Sequence, residues 1–373
     1  MDPATLEGQI IREIRKADEI SRRDLADHLG VARSTAGRRV DNLIERGLLR
    51  ESGLEERAGV GRPKRFLALR GSYGAFAGFD FDARHLFAAL VDFSQNTLEE
   101  KQIAFSSPPT RENVLAVLRE TIQEFSRNGS ATPILGYGFG IPGRVQQDSG
   151  IALDYPYIKN WEQVDIASEL NLSSARVHIE NNTRTIALGE YWLGSDHPSE
   201  DLVCLSVRTG ISAAVISSGQ LLRGRHEMAG EIRGWQIPNT EPDAGESGWL
   251  ETQATVRSIT DNDSVPSPRT WNRFVKACLA EEAGSLSVLV KITGIHADAI
   301  ARLVQLADPE RVVLSGAFRD LGSPYLELLR EETAKRLAGH YFSPPPIDFV
   351  CRGDYTGAHG AAALAAQNFR PEA

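Results

Sequence analysis

The sequence predicts an α/β protein with an N-terminal winged helix-turn-helix and a larger body of two similar α/β halves around a cleft. Three observations support this prediction. Residues 1–70 contain short amphipathic helices, a tight turn and a basic Gly-Pro segment. Two β-hairpin patterns, beginning near Ala75 and near Leu202, are each followed by mixed strands and helices. The chain of 373 residues is also long for a single domain.

The N-terminal region reads as three helices, the first over residues 4–16. The second begins at Ser21, whose hydroxyl can accept from the unpaired amides of the first turn, with Asp24 near the positive end of the helix dipole. Gly30 can adopt the left-handed conformation that ends this helix. The third helix covers residues 32–45, and its apolar stripe consists of Ala36, Val40, Leu43 and Ile44.

The other face of this third helix is polar and basic. A turn of about 100° per residue places one group of side chains opposite the buried stripe and two arginines beside it. The group comprises Ser34, Thr35, Arg38 and Asn42, flanked by Arg33 and Arg39. These side chains can donate to guanine edges and phosphates, so they predict a recognition helix in the major groove.

Two short strands, at residues 48–49 and 66–69, are predicted to form a wing around a basic loop. The loop includes residues 59–65, which read GVGRPKR, and Pro63 stiffens it. Its cations, suited to phosphates or a narrow minor groove, are Arg62, Lys64 and Arg65. A small solvated helical domain with surface arginines is the alternative. The order of helix start, turn, polar face and basic wing favours DNA binding.

Charge is distributed unevenly along a chain whose net charge is −9. Residues 1–70 contain 15 basic and 12 acidic residues, a net charge of +3, and the remainder carries −12. A mildly basic head on an acidic body fits DNA contact confined to the head.

The three cysteines are far apart and predict neither a metal site nor a disulfide framework. No apolar run approaches the roughly 20 residues of a membrane span, and no secretory leader is evident, so a cytoplasmic protein without a cofactor is expected.

The boundaries that we predict are a head at residues 1–70, a linker at 71–74, a first half at 75–190 and a second half at 191–373. The last helix can pack back on the first half. Strands are expected at 75–80, 86–92, 134–141, 177–179, 202–207, 213–217 and 311–314. Helices are expected at 113–125, 164–170, 183–191, 270–283, 297–306 and 325–337.

Five segments of the body carry motifs in a characteristic order. They are residues 136–143 (GYGFGIPG), 180–182 (ENN), 229–232 (AGEI), 245–251 (GESGWLE) and 312–316 (VVLSG). In this order they resemble the ROK family, which contains sugar-responsive repressors and sugar kinases, and the Gly-Arg-Pro wing resembles its repressor branch. The resemblance implies a duplicated actin-like, sugar-kinase-like (ribonuclease H-like) body with a cleft between halves.

Departures from the family pattern concern the kinase chemistry. The family's general base, the Asp of its E-N-D motif, is replaced by Asn182, whose amide cannot take up a proton at neutral pH. The phosphate loops of the family, D-x-G-G-T and G-T-G-x-G-x-G, read DFDAR at 80–84 and RTGISAA at 208–214. The lost glycines and Asp82 disfavour a phosphate. The family's zinc ligands, one His and three Cys, correspond to Gly234, Pro242, Ala244 and Trp249, so no metal is expected.

Polar residues remain on the sugar side of the predicted cleft, where amides and carboxylates can each satisfy two hydrogen bonds of a hydroxylated ligand. The candidates for ligand binding are Asn160, Asn181, Asn182, Glu231 and Glu251. A platform for a sugar face could come from Tyr157, Trp161 and Trp235, although the core or the cleft wall is the ordinary place for the two tryptophans.

These observations predict a DNA-binding transcriptional regulator, by family habit a repressor, whose body senses a sugar without phosphorylating it. The expected partner is a double-stranded operator, bound by a homodimer or a dimer of dimers. Two alternatives stay open. One is an active sugar kinase with an appended DNA-binding head, and the other is a regulator whose body binds a protein partner rather than a sugar.

Overall fold

The computed structural model describes residues 6–17, 19–54, 65–106, 109–128, 132–194, 199–236, 250–259, 267–339 and 343–370. These residues form a small N-terminal head and a body of two α/β halves. Within the described ranges, no helix is both long and apolar enough to cross a membrane.

The head combines three helices with a three-stranded antiparallel sheet in the order β1-β3-β2. Its elements are α1 (Leu6–Lys16), β1 (Ile20–Ser21), α2 (Arg22–His28), α3 (Arg33–Glu45), β2 (Leu49–Leu54) and β3 (Arg65–Leu69). The Ser21 hydroxyl accepts from the Asp24 amide at 3.3 Å, which confirms the predicted start of the second helix. The predicted stripe of α3 packs inward: Ala36, Val40 and Leu43 are buried, and Ile44 is half-buried.

The first half of the body contains a five-stranded sheet in the order β11-β7-β4-β5-β6 and a small three-stranded sheet in the order β10-β9-β8. Its elements are β4 (Ala75–Phe81), β5 (His85–Asp92), β6 (Thr97–Ala104), α4 (Arg111–Asn128), β7 (Ile134–Ile141), β8 (Arg144–Gln146), β9 (Ile151–Asp154), β10 (Glu162–Asp165), α5 (Ile166–Glu169), β11 (Val177–Asn181) and α6 (Asn182–Leu193).

The second half contains another five-stranded sheet, in the order β14-β13-β12-β15-β16. Its elements are β12 (Leu202–Val207), β13 (Ile211–Ser217), β14 (Gln220–Leu221), α7 (Leu250–Gln253), α8 (Pro268–Leu279), α9 (Ala283–Ala307), β15 (Arg311–Gly316), α10 (Gly322–Leu337), β16 (Ile347–Phe349) and α11 (Thr356–Asn368).

The two large sheets repeat one topology. In the first, β4 is antiparallel to β5 and parallel to β7, and in the second, β12 is antiparallel to β13 and parallel to β15. The edge strands follow the same scheme, because β7 and β11 are parallel, as are β15 and β16. The body is therefore duplicated, and the predicted α/β fold class with its winged helix-turn-helix is confirmed.

The helices α6 and α11 pack against each other, and each contacts the sheet of the other half of the body. α6 follows the first sheet in sequence but also contacts β12 and β13, whereas α11 follows the second sheet and contacts β4 and β7. Small residues permit this close approach, since a Cβ added to Gly138 of β7 would lie 1.8 Å from the Ala361 carbonyl oxygen of α11. The C-terminal helix therefore packs on the first sheet.

The head rests on the body through an aromatic cluster. Tyr73 lies 5.0 Å from Phe93 and 6.2 Å from Phe369, centroid to centroid, and Phe76 joins the same cluster. Buried apolar residues of α1 and of the C-terminal end of α11 belong to one continuous core. In addition, Arg15 of α1 donates to the Ala366 carbonyl of α11 at 3.3 Å. Since the apolar residues of α1 and α11 in this contact are buried, they hold the head against the last helix.

Candidate DNA-binding face and ligand cleft

The predicted recognition face lies on the outside of α3. Arg33, Ser34, Arg38, Arg39 and Asn42 are exposed, and Thr35 is half-buried. The helix axis is fixed by the buried stripe on its other side, so these side chains project from one rigid surface. This arrangement can enter a major groove with donors and cations foremost.

Three of the six polar residues of this face have partners within the described residues of the head. Arg39 lies 3.3 Å from a Glu7 carboxylate oxygen, and the side-chain oxygen of Asn42 accepts from Arg46 at 3.2 Å. Arg33 approaches Asp27 only to 3.9 Å. Within the described part of the chain, Arg38 has no such partner, which makes it the most available cation at the centre of the face.

The described side of the wing shows one predicted cation in place. Arg65, at the start of β3, forms a short contact with the Glu51 carboxylate of β2. The hydrogen bond from Arg65 is the main reason that the pKa of Glu51 lies below its ordinary value. Arg62 and Lys64 lie outside the described residues, so the DNA-facing part of the wing stays a prediction.

A cavity of about 370 Å³ lies between the two halves of the body. Loops after β7 and β9, the junction of β11 with α6, the β12–β13 turn and the segment before α7 contribute its walls. Four of the five predicted ligand-binding residues line it, namely Asn181, Asn182, Glu231 and Glu251.

Asn160 does not join the other four, so its place in the predicted set is corrected. It lies in a separate depression with Arg111, Arg119 and Glu169. The backbone of Asn160 is left-handed, with a φ of 62°. This conformation belongs to the turn before β10, whose irregular backbone the sequence pattern did not resolve.

Asn181 and Asn182 differ in what they can offer a ligand. The Oδ1 of Asn181 caps α6 by accepting from the amides of Thr183 (2.9 Å) and Arg184 (3.3 Å), and its Nδ2 donates to Gly143. The Nδ2 of Asn182 donates to the Phe81 carbonyl at 3.2 Å. Within the described part of the chain, Oδ1 of Asn182 has no donor, so it can accept from a ligand hydroxyl.

Glu251 is held from both halves of the body. Its Oε1 accepts from the hydroxyl of Tyr157 at 2.8 Å, and Arg257 donates to the same hydroxyl at 2.5 Å. Burial, with Glu251 adding to it, raises the pKa of Tyr157, so the phenol stays a donor. Tyr157 therefore fixes one Glu251 oxygen and joins the halves at the rim of the cavity.

Glu231 follows a loop that a buried charge network positions. Arg184, only 2% exposed, donates to Glu180 at 3.2 Å, to the carboxylate of Glu227 at 2.5 Å and to the Glu227 carbonyl at 2.8 Å. Glu180 also accepts from Arg223 at 2.7 Å. Because breaking a buried pair leaves an uncompensated charge, this network strongly fixes the loop that leads to Glu231.

Where the family would bind nucleotide phosphates, the structure shows an internal ion pair. Arg208, from the second half, meets Asp80 of the first half through two hydrogen bonds of 3.0 and 2.5 Å. Asp80 is fully buried, and burial raises its pKa to about 6 although Arg208 opposes the rise. The guanidinium therefore bridges the two degenerate phosphate-loop segments.

Asp82 closes the first of these segments. Its Oδ1 accepts from the backbone amides of Arg84 and His85 at 2.7 and 2.9 Å. A phosphate-binding loop needs such amides to point at the ligand. Here a carboxylate of the chain itself occupies them.

The structure also brings together residues that the sequence did not single out as site residues: Tyr155, Arg144, Asp154, Arg208 and Arg233 line the cavity. The tryptophan platform is wrong. Trp161 is buried with its ring 5.4 Å from Phe81, and Trp235 lies beneath the guanidinium of Arg302. Tyr155 and Tyr157, with ring centroids 5.3 Å apart, are the aromatic residues of the cleft wall.

The residues do not fit the zinc site of the family. Gly234 lines the cavity but has no side chain to act as a ligand. Pro242, Ala244 and Trp249 lie outside the described residues, and none of these residue types is a zinc ligand. Among the described residues, no group of three His, Cys, Asp or Glu side chains could hold a metal ion.

The fold and the two sites define a winged helix-turn-helix protein with a two-lobed, sugar-kinase-like body. Residues 76–368 match the model of the ROK family, and residues 5–50 match that of a winged helix-turn-helix DNA-binding domain. The chain therefore belongs to the ROK family.

Individual relatives include regulators and kinases. The chain is 26% identical over 358 residues to the xylose repressor of Caldicellulosiruptor bescii, with 88% of this chain and 86% of the repressor covered. A ROK family transcriptional regulator, a homologue of the E. coli MLC protein, superimposes with a TM-score of 0.74 at 23% identity, covering 97% of this chain and 95% of that one. A ROK family glucokinase from Streptomyces griseus, solved with glucose and AMPPNP, gives 0.67 at 22% identity, covering 79% and 100%.

Proposed function

We propose that this protein is a carbohydrate-responsive transcriptional repressor. The head would bind an operator through α3, and a ligand in the cleft would change that binding. The observation that carries the proposal is the exposed Arg38 face on a head that is packed against a body with a cleft lined by amide and carboxylate side chains. Similarity over most of the chain to a protein named as a xylose repressor supports the sign of regulation.

The operator-bound form is a homodimer in this proposal. A helix-turn-helix head reads a short half-site, and two heads related by a two-fold axis read a palindrome with half-sites about one helical turn apart. A ligand that favours one arrangement of the halves would alter the spacing of the heads. A regulator of this kind acts in the compartment that holds the chromosome, which in a bacterium is the cytoplasm.

The body is proposed to bind its ligand without phosphorylating it. Asn182 stands where a general base would be, and its Nδ2 is engaged with Phe81. The bridge between Arg208 and Asp80 fills the region of the phosphate loops, and Asp82 occupies the amides of Arg84 and His85. The positions of the general base and of the phosphate-binding loops are thus occupied by side chains that form hydrogen bonds within the protein.

The test is operator selection by the full-length chain from a library of random duplexes, followed by affinity measurement on the selected sequence. Arg38→Ala should weaken specific binding by about 1–3 kcal/mol, as expected for a base-reading side chain. The matched control is Arg273→Ala, an exposed arginine on α8. Failure to select any sequence, or equal affinity of the Arg38 variant, would show that the head does not read DNA through α3.

A further inference from the structure

Most charged groups of the cleft are already paired within the protein. Arg144 meets Asp154 through two hydrogen bonds of 2.9 Å, and Arg208 meets Asp80. Glu251 is held by Tyr157, and Asp82 accepts from two backbone amides. These groups are satisfied before any ligand arrives, so they contribute shape and polarity more than unpaired charge.

Two charged side chains of the cavity are different. Across the described ranges, neither Arg233 nor Glu231 has a side-chain hydrogen bond or a salt bridge, although both line the cavity. Arg233 is exposed and Glu231 is half-buried. The guanidinium is close enough to oppose the rise that burial causes in the pKa of Glu231. The cleft therefore presents one unpaired cation beside one unpaired carboxylate.

The backbone around Arg233 is held in place. Its carbonyl accepts from the Glu251 amide at 3.1 Å, and the Trp235 carbonyl accepts from the Leu250 amide at 2.9 Å. These two bonds join the segment to the start of α7. Arg233 thus extends into the cavity from a fixed position.

A complementary ligand must satisfy both groups. Glu231 accepts hydroxyl protons, whereas a guanidinium best matches a planar carboxylate, which it can bind through two parallel hydrogen bonds. A phosphate ester would bring a charge of about −1.5 to −2, more than the one unpaired guanidinium of the lining balances, and would place it near the unpaired carboxylate of Glu231. A single carboxylate is balanced by the single unpaired guanidinium.

Size and wall chemistry limit the ligand further. At about 370 Å³, the cavity is at the small end of the roughly 300–1,000 Å³ typical of ligand sites. Tyr155, Ile211 and Met228 supply apolar surface for the C–H face of a ring. These features suit a single sugar unit.

We propose that the cleft binds a sugar acid of monosaccharide size, with the ligand carboxylate on Arg233 and ligand hydroxyls on Glu231 and on Oδ1 of Asn182. This inference rests on the proposed function, because it names the ligand class of the same cleft. Arg233 is then the residue that determines specificity for acids over neutral sugars.

The test uses the full-length protein and sugars that differ only at the acidic carbon. Calorimetric titrations compare glucuronate with glucose and galacturonate with galactose, and glucose 6-phosphate tests the phosphate source of negative charge. At least one acid should bind roughly tenfold or more tightly than its neutral partner, as a hydrogen-bonded charge pair implies. Equal binding of the neutral partner, tighter binding of the phosphate ester, or no binding of either acid would overturn the proposal.

The variant Arg233→Gln removes the charge and keeps a donor. It should weaken the acid by roughly tenfold or more and leave any binding of the neutral sugar within about threefold, which is under 1 kcal/mol. Arg273→Gln, outside the cleft, should leave both unchanged. If Arg233→Gln weakened the binding of acid and neutral sugar equally, Arg233 would not be binding the carboxylate.

Operator selection distinguishes the two proposals. Loss of operator binding would refute the proposed function, whereas an operator response to neutral sugars alone would refute only the ligand class.

Discussion

At the scale of single residues, Asn182 shows how one substitution changes what a site can do. A carboxylate there would accept a proton from a substrate, whereas the amide donates to Phe81 and keeps only an acceptor for a ligand. A side chain that could act as a general base thus becomes one that forms a hydrogen bond within the protein. It also ties the start of α6 to the end of β4.

Restoring the acid alone should therefore not restore a kinase. We predict that Asn182→Asp and the unaltered protein both turn over no ATP with hexoses, amino sugars or pentoses, because Arg208 still fills the phosphate region. The measurement is a coupled assay for ADP, with an active sugar kinase as the positive control. Sugar-dependent turnover above background in either protein would contradict the proposal that the body is inactive.

Arg208 gives a prediction about stability. Arg208→Met removes the partner of the fully buried Asp80 and should lower the free energy of unfolding by about 3–5 kcal/mol at neutral pH, the usual cost of stranding a buried charge. The double variant with Asp80→Asn should recover much of that loss. Urea unfolding measures both, and additive losses in the double variant would show that the two residues do not act as a pair.

The sequence could predict the cleft residues that belong to ordered motifs, and it could not predict the direction of individual side chains. Asn182, Glu231 and Glu251 meet in one cavity because strand ends and helix starts converge there. Arg208 stands out in the sequence only as part of a degenerate phosphate loop, and no motif marks Arg233. Their place in the cavity depends on backbone turns, and no spacing rule describes those turns.

At the scale of elements, glycine spacing determines how the last helix packs. Gly138 lies where a side chain would collide with the backbone of α11, so the Gly-rich strand is first of all a packing surface. We predict that Gly138→Ala lowers the free energy of unfolding by about 1–3 kcal/mol or more, as overpacking does. Gly284→Ala, in α9 with open space around it, is the control and should be neutral or slightly stabilising. Equal unfolding midpoints for the two variants would contradict the tight contact.

Strands with a continuous apolar pattern were predictable, and short or curved elements were not. The strands predicted at 134–141 and 202–207 agree with β7 and β12. The helix predicted at 164–170 is wrong at its start, because Val164 belongs to β10, and only Ile166–Glu169 is helical. The helix predicted at 297–306 is the second part of the 25-residue α9. The first part of α9 is more exposed, so its apolar period is weaker.

At the scale of the whole molecule, a buried histidine makes stability depend on pH. Burial lowers the pKa of His296 to about 4, and among the described residues its ring nitrogens form hydrogen bonds with the Tyr325 hydroxyl and the Ala254 carbonyl. The unfolded chain takes up this proton near its ordinary pKa of about 6.5, so stability is lost as pH falls from about 6.5 towards 4. At pH 5 the loss from this residue should be about 2 kcal/mol relative to pH 7.5.

His296→Gln isolates this contribution, because glutamine can still hydrogen-bond but does not titrate. The unaltered protein should lose about 2 kcal/mol more than the variant between pH 7.5 and pH 5, measured by urea unfolding. Parallel losses in the two proteins would mean that other groups carry the acid sensitivity, such as His178, whose pKa burial also lowers.

At this scale the sequence predicts the order of strands and helices. It shows only as a possibility that α11 packs on the first sheet, and it does not show that α6 contacts the second. Each half has its own hairpin, helix and parallel strand pattern, and local periodicity reports those. Which sheet a helix covers depends on contacts between residues far apart in sequence, such as Gly138 with Ala361.

The position of α11 has a consequence for where genetic lesions could act. The helix starts beside the ion pair of Asp80 and Arg208, where a side chain at Gly357 would collide with the Asp80 carboxylate, and it ends beneath the head, where Arg15 donates to the Ala366 carbonyl. α11 thus connects the contact with α1 to the ion pair beside the cavity. A stop codon at position 354 would remove no residue of the exposed α3 face and no residue that lines the cavity. It would nevertheless remove the α11 residues against which the head packs, so we expect a strain that carries it to lose regulation completely.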